Sequence, residues 1–192
     1  MKYRAHRQYT QVMDFCLKTR TLFKRWKTTR IGFLGSYVCY KPPAAAAVEA
    51  AAASAREPSS HAYGADAGLP ELRAALADRL RTKGLANCEV MVTAGANQAF
   101  TNVALTLLDA GDACVLFAPY YFNHKMMLDM RGCRVVIAPT DDSLLPTVEA
   151  ARKALDEGAR CVVLVNPGNP SGAVIPEGRL RAISDVCAER NA

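Results

Sequence analysis

Four short apolar runs, Val90–Thr93, Cys114–Phe117, Arg134–Ile137 and Cys161–Val165, each lead into a stretch of helical periodicity: Asn97–Leu108, Tyr121–Met130, Thr147–Leu155 and Gly178–Arg190. A strand that is apolar on both faces must be covered on both. When helices alternate with such strands, the stable solution is a parallel sheet between helical layers. The chain therefore reads as α/β, a three-layer fold with a mostly parallel sheet covered by helices on both faces. Upstream, Pro42 and Pro43 open an alanine-rich run, Ala44–Ala55, which predicts a helix with a proline in its first turn. Leu69, Leu72, Leu76 and Leu80 recur at spacings of three, four and four, which predicts an amphipathic helix ending near Gly84.

Charge separates the first residues from the rest. Residues 1–30 hold nine Lys or Arg and one acid, Asp14, whereas residues 31–192 hold 15 basic and 17 acidic residues. The net charge of +6 thus belongs to an N-terminal arm, about residues 1–40, and not to the body. The arm is rich in Arg, bears Thr and lacks an apolar core, so it reads as transit-like, with a solvated tail or non-homologous segment as the plainer alternative. Localisation is accordingly open between cytoplasm and organelle. No run approaches the ~20 apolar residues that span a bilayer, so no membrane partner is expected, nor a nucleic-acid one. The seven cysteines are odd in number and never spaced C-x-x-C, which points to neither a disulfide framework nor a zinc site. Cys114 and Cys161 read as small buried hydrophobes. His6, His61 and His124 are too scattered to bind a metal and read as surface or packing residues. G-x-S-x-G, P-loop and G-x-G-x-x-G motifs are all missing, so serine hydrolase, NTPase and dinucleotide readings lack their carriers.

In open parallel sheets, ligands bind beyond the carboxyl ends of the strands. Three loops fall there. Ala94-Gly95-Ala96-Asn97-Gln98 offers small residues and a helix start, which suits an anion. Ala118-Pro119-Tyr120-Tyr121-Phe122 offers an aromatic face to a planar ring. Asn166-Pro167-Gly168-Asn169-Pro170-Ser171-Gly172 carries more punctuation than a simple turn requires, and two Asn-Pro pairs in it would aim amides at the strand ends.

Taken in order, Tyr63-x4-Gly68-Leu-Pro-Glu-Leu-Arg73, Gly95-Ala-Asn-Gln-Ala, Pro119-Tyr-Tyr and Asn-Pro-x-Asn-Pro-Ser-Gly resemble the class I/II aminotransferases, pyridoxal-phosphate enzymes of fold type I. The resemblance covers about residues 41–192, the N-terminal part of that family's large domain. It implies that Gly95, Ala96 and Asn97 hold the cofactor phosphate, that Tyr121 stacks on the pyridine ring and that Asn169 donates to the ring's phenolate oxygen. It further implies that Tyr63 reaches the phosphate of a neighbouring subunit, hence a homodimer, and that the substrates are an amino acid and a 2-oxo acid. Ser171 stands where the family usually has Thr, and the glycine-rich segment expected before Pro42 survives only as Gly35-Ser36.

The resemblance also places a Schiff-base lysine after the Asn169 loop, together with an Asp for the pyridine nitrogen and an Arg for the substrate carboxylate. The eight lysines are Lys2, Lys18, Lys24, Lys27, Lys41, Lys83, Lys125 and Lys153, all upstream of that loop. The expectation is a fragment that does not transaminate alone, its catalytic residues lying beyond Ala192. The alternative is a non-catalytic truncated paralogue that associates with a full-length subunit.

Overall fold

A computed structural model describes residues 42–85 and 88–192. The basic arm and Gly35-Ser36 lie outside the described residues. The chain divides into two compact units, one within Tyr37–Leu107 and one built from Leu108–Ala192.

In the first unit, helix α1 spans Ala45–Ser54, a 3-10 turn Pro58–His61, α2 Pro70–Arg81 and α3 Gly95–Leu107. Pro43 sits one residue before the α1 N-cap, Ala44, and so sets the entry to the helix instead of occupying its first turn. The leucine pattern does form a helix, but Leu69, Leu72 and Leu76 stay more than a third exposed and α2 buries no residue.

The expected strand Val90–Thr93 is not one. Its backbone is held singly, by Val92 N donating to Ala67 O at 2.9 Å and by the Arg73 guanidinium Nε donating to Val90 O at 2.6 Å. A corner and a side chain thus take groups that a strand would give to a ladder. Gly68, at φ +98°, makes this approach possible, because a Cβ there would lie 2.6 Å from the Val92 Cβ. The Gly68-x4-Arg73 spacing is therefore a clamp on the segment that leads into Gly95.

The second unit is the sheet. Strands β1 (Ala113–Ala118), β2 (Arg134–Pro139) and β3 (Ala159–Val163) are all parallel, in the order β2-β1-β3. Helices α4 (Phe122–Arg131), α5 (Val148–Asp156) and α6 (Glu177–Glu189) alternate with them. The chain steps from β1 to β2 in one direction and from β2 past β1 to β3 in the other. Right-handed crossovers taken in opposite directions put α4 and α5 on opposite faces, so the sheet is covered on both. The central strand β1 is buried from Ala113 to Phe117, which is why its sequence is apolar without alternation.

On the α5 face the core comprises Val115, Phe117, Ala151, Ala154, Leu155, Ile183 and Val186 among others. The helix α5 fits because Thr147 caps it, its side chain accepting from Ala150 N, and because its small apolar side repeats at helical spacing. Arg190 to Asp156 at 2.6 Å and Arg152 to Glu189 at 3.0 Å lace α5 to α6 at the surface, a minor contribution beside the buried apolar area.

Candidate functional site

The neighbours β1 and β3 send their chains to opposite faces, β1 into α4 and β3 towards α6, which packs with α5. That divergence opens a crevice beyond their carboxyl ends, the position where open α/β sheets hold ligands. A cleft lies there, floored by Leu116, Phe117 and Val163 and walled by Tyr121, Thr140 and Asn169. Its volume, about 40 Å³, is far below the ~300 Å³ or more of a small-molecule site.

Asn166 Oδ1 accepts from Ile175 N at 2.9 Å, which closes the Asn166–Gly172 loop onto the chain that leaves it. Gly168 N donates to Ala173 O at 2.8 Å and Gly172 N to Gly168 O at 2.7 Å, and both Asn-Pro bonds are cis. Asn169 lines the cleft and is exposed.

Tyr121 is the N-cap residue of α4, half-buried at the cleft wall. Its hydroxyl accepts from Asn123 Nδ2 at 2.7 Å, and its ring meets the edge of His124 at 5.1 Å and 89°. Phe122 flanks it at 5.3 Å. A ring held at both ends is an oriented platform. Burial pushes His124 below the usual histidine range, so it stands there as a neutral imidazole at pH 7. The sequence had set His124 aside. The signal that finds it is its spacing of three from Tyr121, which shares one helix face.

Beside the cleft, Thr140 Oγ1 donates to Ala118 O at 2.7 Å and ties β2 to the end of β1. The next residue, Asp141, accepts from Ser143 N and Leu145 N and from Arg179 at 2.6 Å, with both charged side chains about a third exposed. The Arg179 guanidinium foremost, aided by these amides, holds the Asp141 carboxyl below the usual range. A depressed carboxylate pKa stabilises the fold above the unfolded-state value, near pH ~4, and loses that effect as pH falls through the folded value. Asp141→Asn is thus expected to lower the melting temperature at pH 7, and by progressively less as the pH falls below ~4, in thermal unfolding followed across that range.

The other expected residues belong to the first unit. Gly95, at φ +78°, turns the chain into α3, with Gly95 N on Thr93 O at 2.8 Å and Thr93 Oγ1 on Gly95 O at 3.0 Å. Gln98 Oε1 accepts from Ala94 N at 2.5 Å, a cap that the sequence did not reveal. The first-turn amides of Ala96 and Asn97 have no carbonyl a turn earlier to bond, and these residues are exposed. They are suited to an anion. Tyr63 is fully exposed.

The description of aminotransferase class I and II matches residues 33–192. The chain belongs to this family. Among its relatives, the aromatic aminotransferase ISS1 of Arabidopsis thaliana is 46% identical over 139 residues, 69% of this chain and 35% of that protein. The aspartate/prephenate aminotransferase of Thermus thermophilus is 34% identical over 134 residues, 67% of this chain and 35% of that protein. Among solved structures, the aspartate aminotransferase of Thermus thermophilus with maleate superposes at a TM-score of 0.67 and 32% identity, covering 74% of this chain and 40% of that one. An aminotransferase of Mycobacterium tuberculosis gives 0.68 and 31%, covering 77% and 38%. The chain spans about a third of the length of the curated relatives it matches.

Proposed function

We propose that this chain is part of a pyridoxal-phosphate-dependent aminotransferase that moves an amino group between an amino acid and a 2-oxo acid. The observation that carries the reading is the pairing of Tyr121 and Asn169 on one cleft at the diverging ends of β1 and β3. The donor set fits the cofactor: an oriented aromatic ring suits a planar pyridine, an amide suits a phenolate, and helix-start amides suit a phosphate. In this reading the amides of Ala96 and Asn97, reached past Gly95, bind the phosphate. Tyr121 covers one face of the ring and excludes water from it. Asn169 donates its amide hydrogen to the ring oxygen. When bound, pyridoxal phosphate supplies an electron sink for bond changes at the amino acid's α-carbon.

Tyr63 is assigned to the phosphate of a second subunit's cofactor, in a homodimer, and its complete exposure supports that assignment. For substrate, aromatic amino acids are the favoured class. The support is the Pro119-Tyr-Tyr-Phe-Asn-His124 run and the printed name of the 46% identical relative. All eight lysines precede the Asn169 loop, so residues 1–192 alone are expected not to transaminate.

The test is to sequence the native transcript past the codon for Ala192 and to assay the encoded product. The reading expects an open frame with an aspartate-bearing strand and a Ser-x-x-Lys block, and transamination of an aromatic amino acid by that longer product. A stop codon directly after Ala192 would overturn it in favour of a non-catalytic paralogue, which should then co-purify with a full-length aminotransferase.

A further inference from the structure

We propose that Cys114 and Cys161 form a reversible cross-strand disulfide under mild oxidation, a modification that staples β1 to β3 beneath the cleft. The pairing comes from a register shift that the sequence does not show. Ala113 faces Ala159, but Cys114 faces Cys161, so Arg160 is the extra residue of a bulge in β3. Side chains on the α5 face confirm the offset: Ala159 and Val162 both reach that core although they are three residues apart. With the bulge, Cys161 shares the other face of the sheet with Cys114. Without it, Arg160 would stand opposite Cys114.

Directly opposed residues on neighbouring strands lie roughly 5 Å apart, inside the ~4.4–6.8 Å Cα separation that a disulfide bridges. Proximity to the Cys114 thiol lowers Cys161 below the ordinary cysteine value, while the neighbouring Cys161 and burial push Cys114 up. Cys161 is also the more accessible partner, half-buried where Cys114 is buried. The order of events follows. The Cys161 thiolate attacks a peroxide oxygen, giving a sulfenic acid and releasing hydroxide. The Cys114 sulfur then attacks the Cys161 sulfur, the S–S bond forms, and the sulfenic oxygen leaves as water with the Cys114 proton. Peroxide takes up the two electrons.

The experiment treats the full chain, residues 1–192, with hydrogen peroxide, caps remaining thiols with N-ethylmaleimide, and maps tryptic peptides by mass spectrometry. Cleavage at Arg160 releases a peptide that begins at Cys161. The expected result is that peptide joined to the peptide of residues 84–125, which carries both Cys88 and Cys114, with fragmentation placing the link on Cys114 and the capping group on Cys88, two hydrogens lost, two fewer titratable thiols and full reversal by dithiothreitol. Cys161→Ser and Cys114→Ala remove the linked peptide and Cys88→Ser keeps it. Cys161→Ser, at a half-buried position, decides the matter if Cys114→Ala does not fold. The proposal fails if both residues remain alkylatable at peroxide levels that oxidise Cys88. It fails equally if Cys161 ends as sulfinic acid with Cys114 still capped, or if Cys161 is joined to Cys133 or Cys187 instead.

Discussion

Gly68→Ala is expected to lower the stability of the first unit by about 2–5 kcal/mol, whereas Gly64→Ala, a few residues away, should change it by less than about 1 kcal/mol. Two penalties combine at Gly68. An alanine at φ +98° is in a region that L side chains avoid, and its Cβ would lie 2.6 Å from the Val92 Cβ and Cγ2. Gly64 has open space around its Cα. The overlap cannot be relieved by rotating a flexible tip, because the obstacle is a β-branched Cβ close to its backbone. Relief requires the Val90–Thr93 segment to leave Ala67, which breaks the Val92 N to Ala67 O bond and misplaces the chain that enters Gly95. Urea unfolding of both variants, with the slope compared, separates this from a change in the denatured state. Equal midpoints for the two would contradict the clamp.

Leu116→Ala is expected to cost about 2–5 kcal/mol in the second unit. Leu116 is 1% exposed on the central strand, hydrogen-bonded to neighbours on both sides, so the surroundings can collapse little into the space left. Val174→Ala, at 63% exposure, should stay within about 0.5 kcal/mol of the parent. Leu116 also floors the cleft, so the same variant should loosen the end of β1, where Tyr121 is seated. Chemical denaturation gives the first effect, and the near-ultraviolet tyrosine signal gives the second. A cost below about 1 kcal/mol would mean that β1 is not the rigid centre of this unit.

The parallel sheet and its helices were legible because the strands of a doubly covered sheet are apolar without alternation, and the helices between them keep their period. Cys114–Phe117 and Arg134–Ile137 lie inside β1 and β2, and Thr147 marks the start of α5 as its cap. Val90–Thr93 has the same local pattern as those strands. Among the described residues no strand pairs with it, and Ala67 and Arg73 take its backbone groups where Gly68 allows the approach, which no local propensity encodes. The bulge at Arg160 is equally silent in the sequence, since it is defined by the register of β3 against β1 and not by the residue types within β3.

At the candidate site, the ordered motifs drew attention to Tyr121 and Asn169, and the structure puts both on one cleft. That Asn166 and not Asn169 closes the loop could not be read from two identical Asn-Pro pairs, because it follows from which amide meets Ile175 N. Asn123 and His124 were overlooked for a different reason: each acts on Tyr121 through contacts formed only once α4 has wound its first turn.

The most direct test of the account titrates residues 1–192 with pyridoxal phosphate and follows the circular dichroism that an achiral cofactor acquires only when held in a fixed orientation. The account predicts a saturable induced band that inorganic phosphate competes away and that Tyr121→Ala and Asn169→Ala each weaken by about tenfold or more in apparent affinity, as loss of ~1.4 kcal/mol or more requires. No induced band, or a band indifferent to both substitutions, would contradict it.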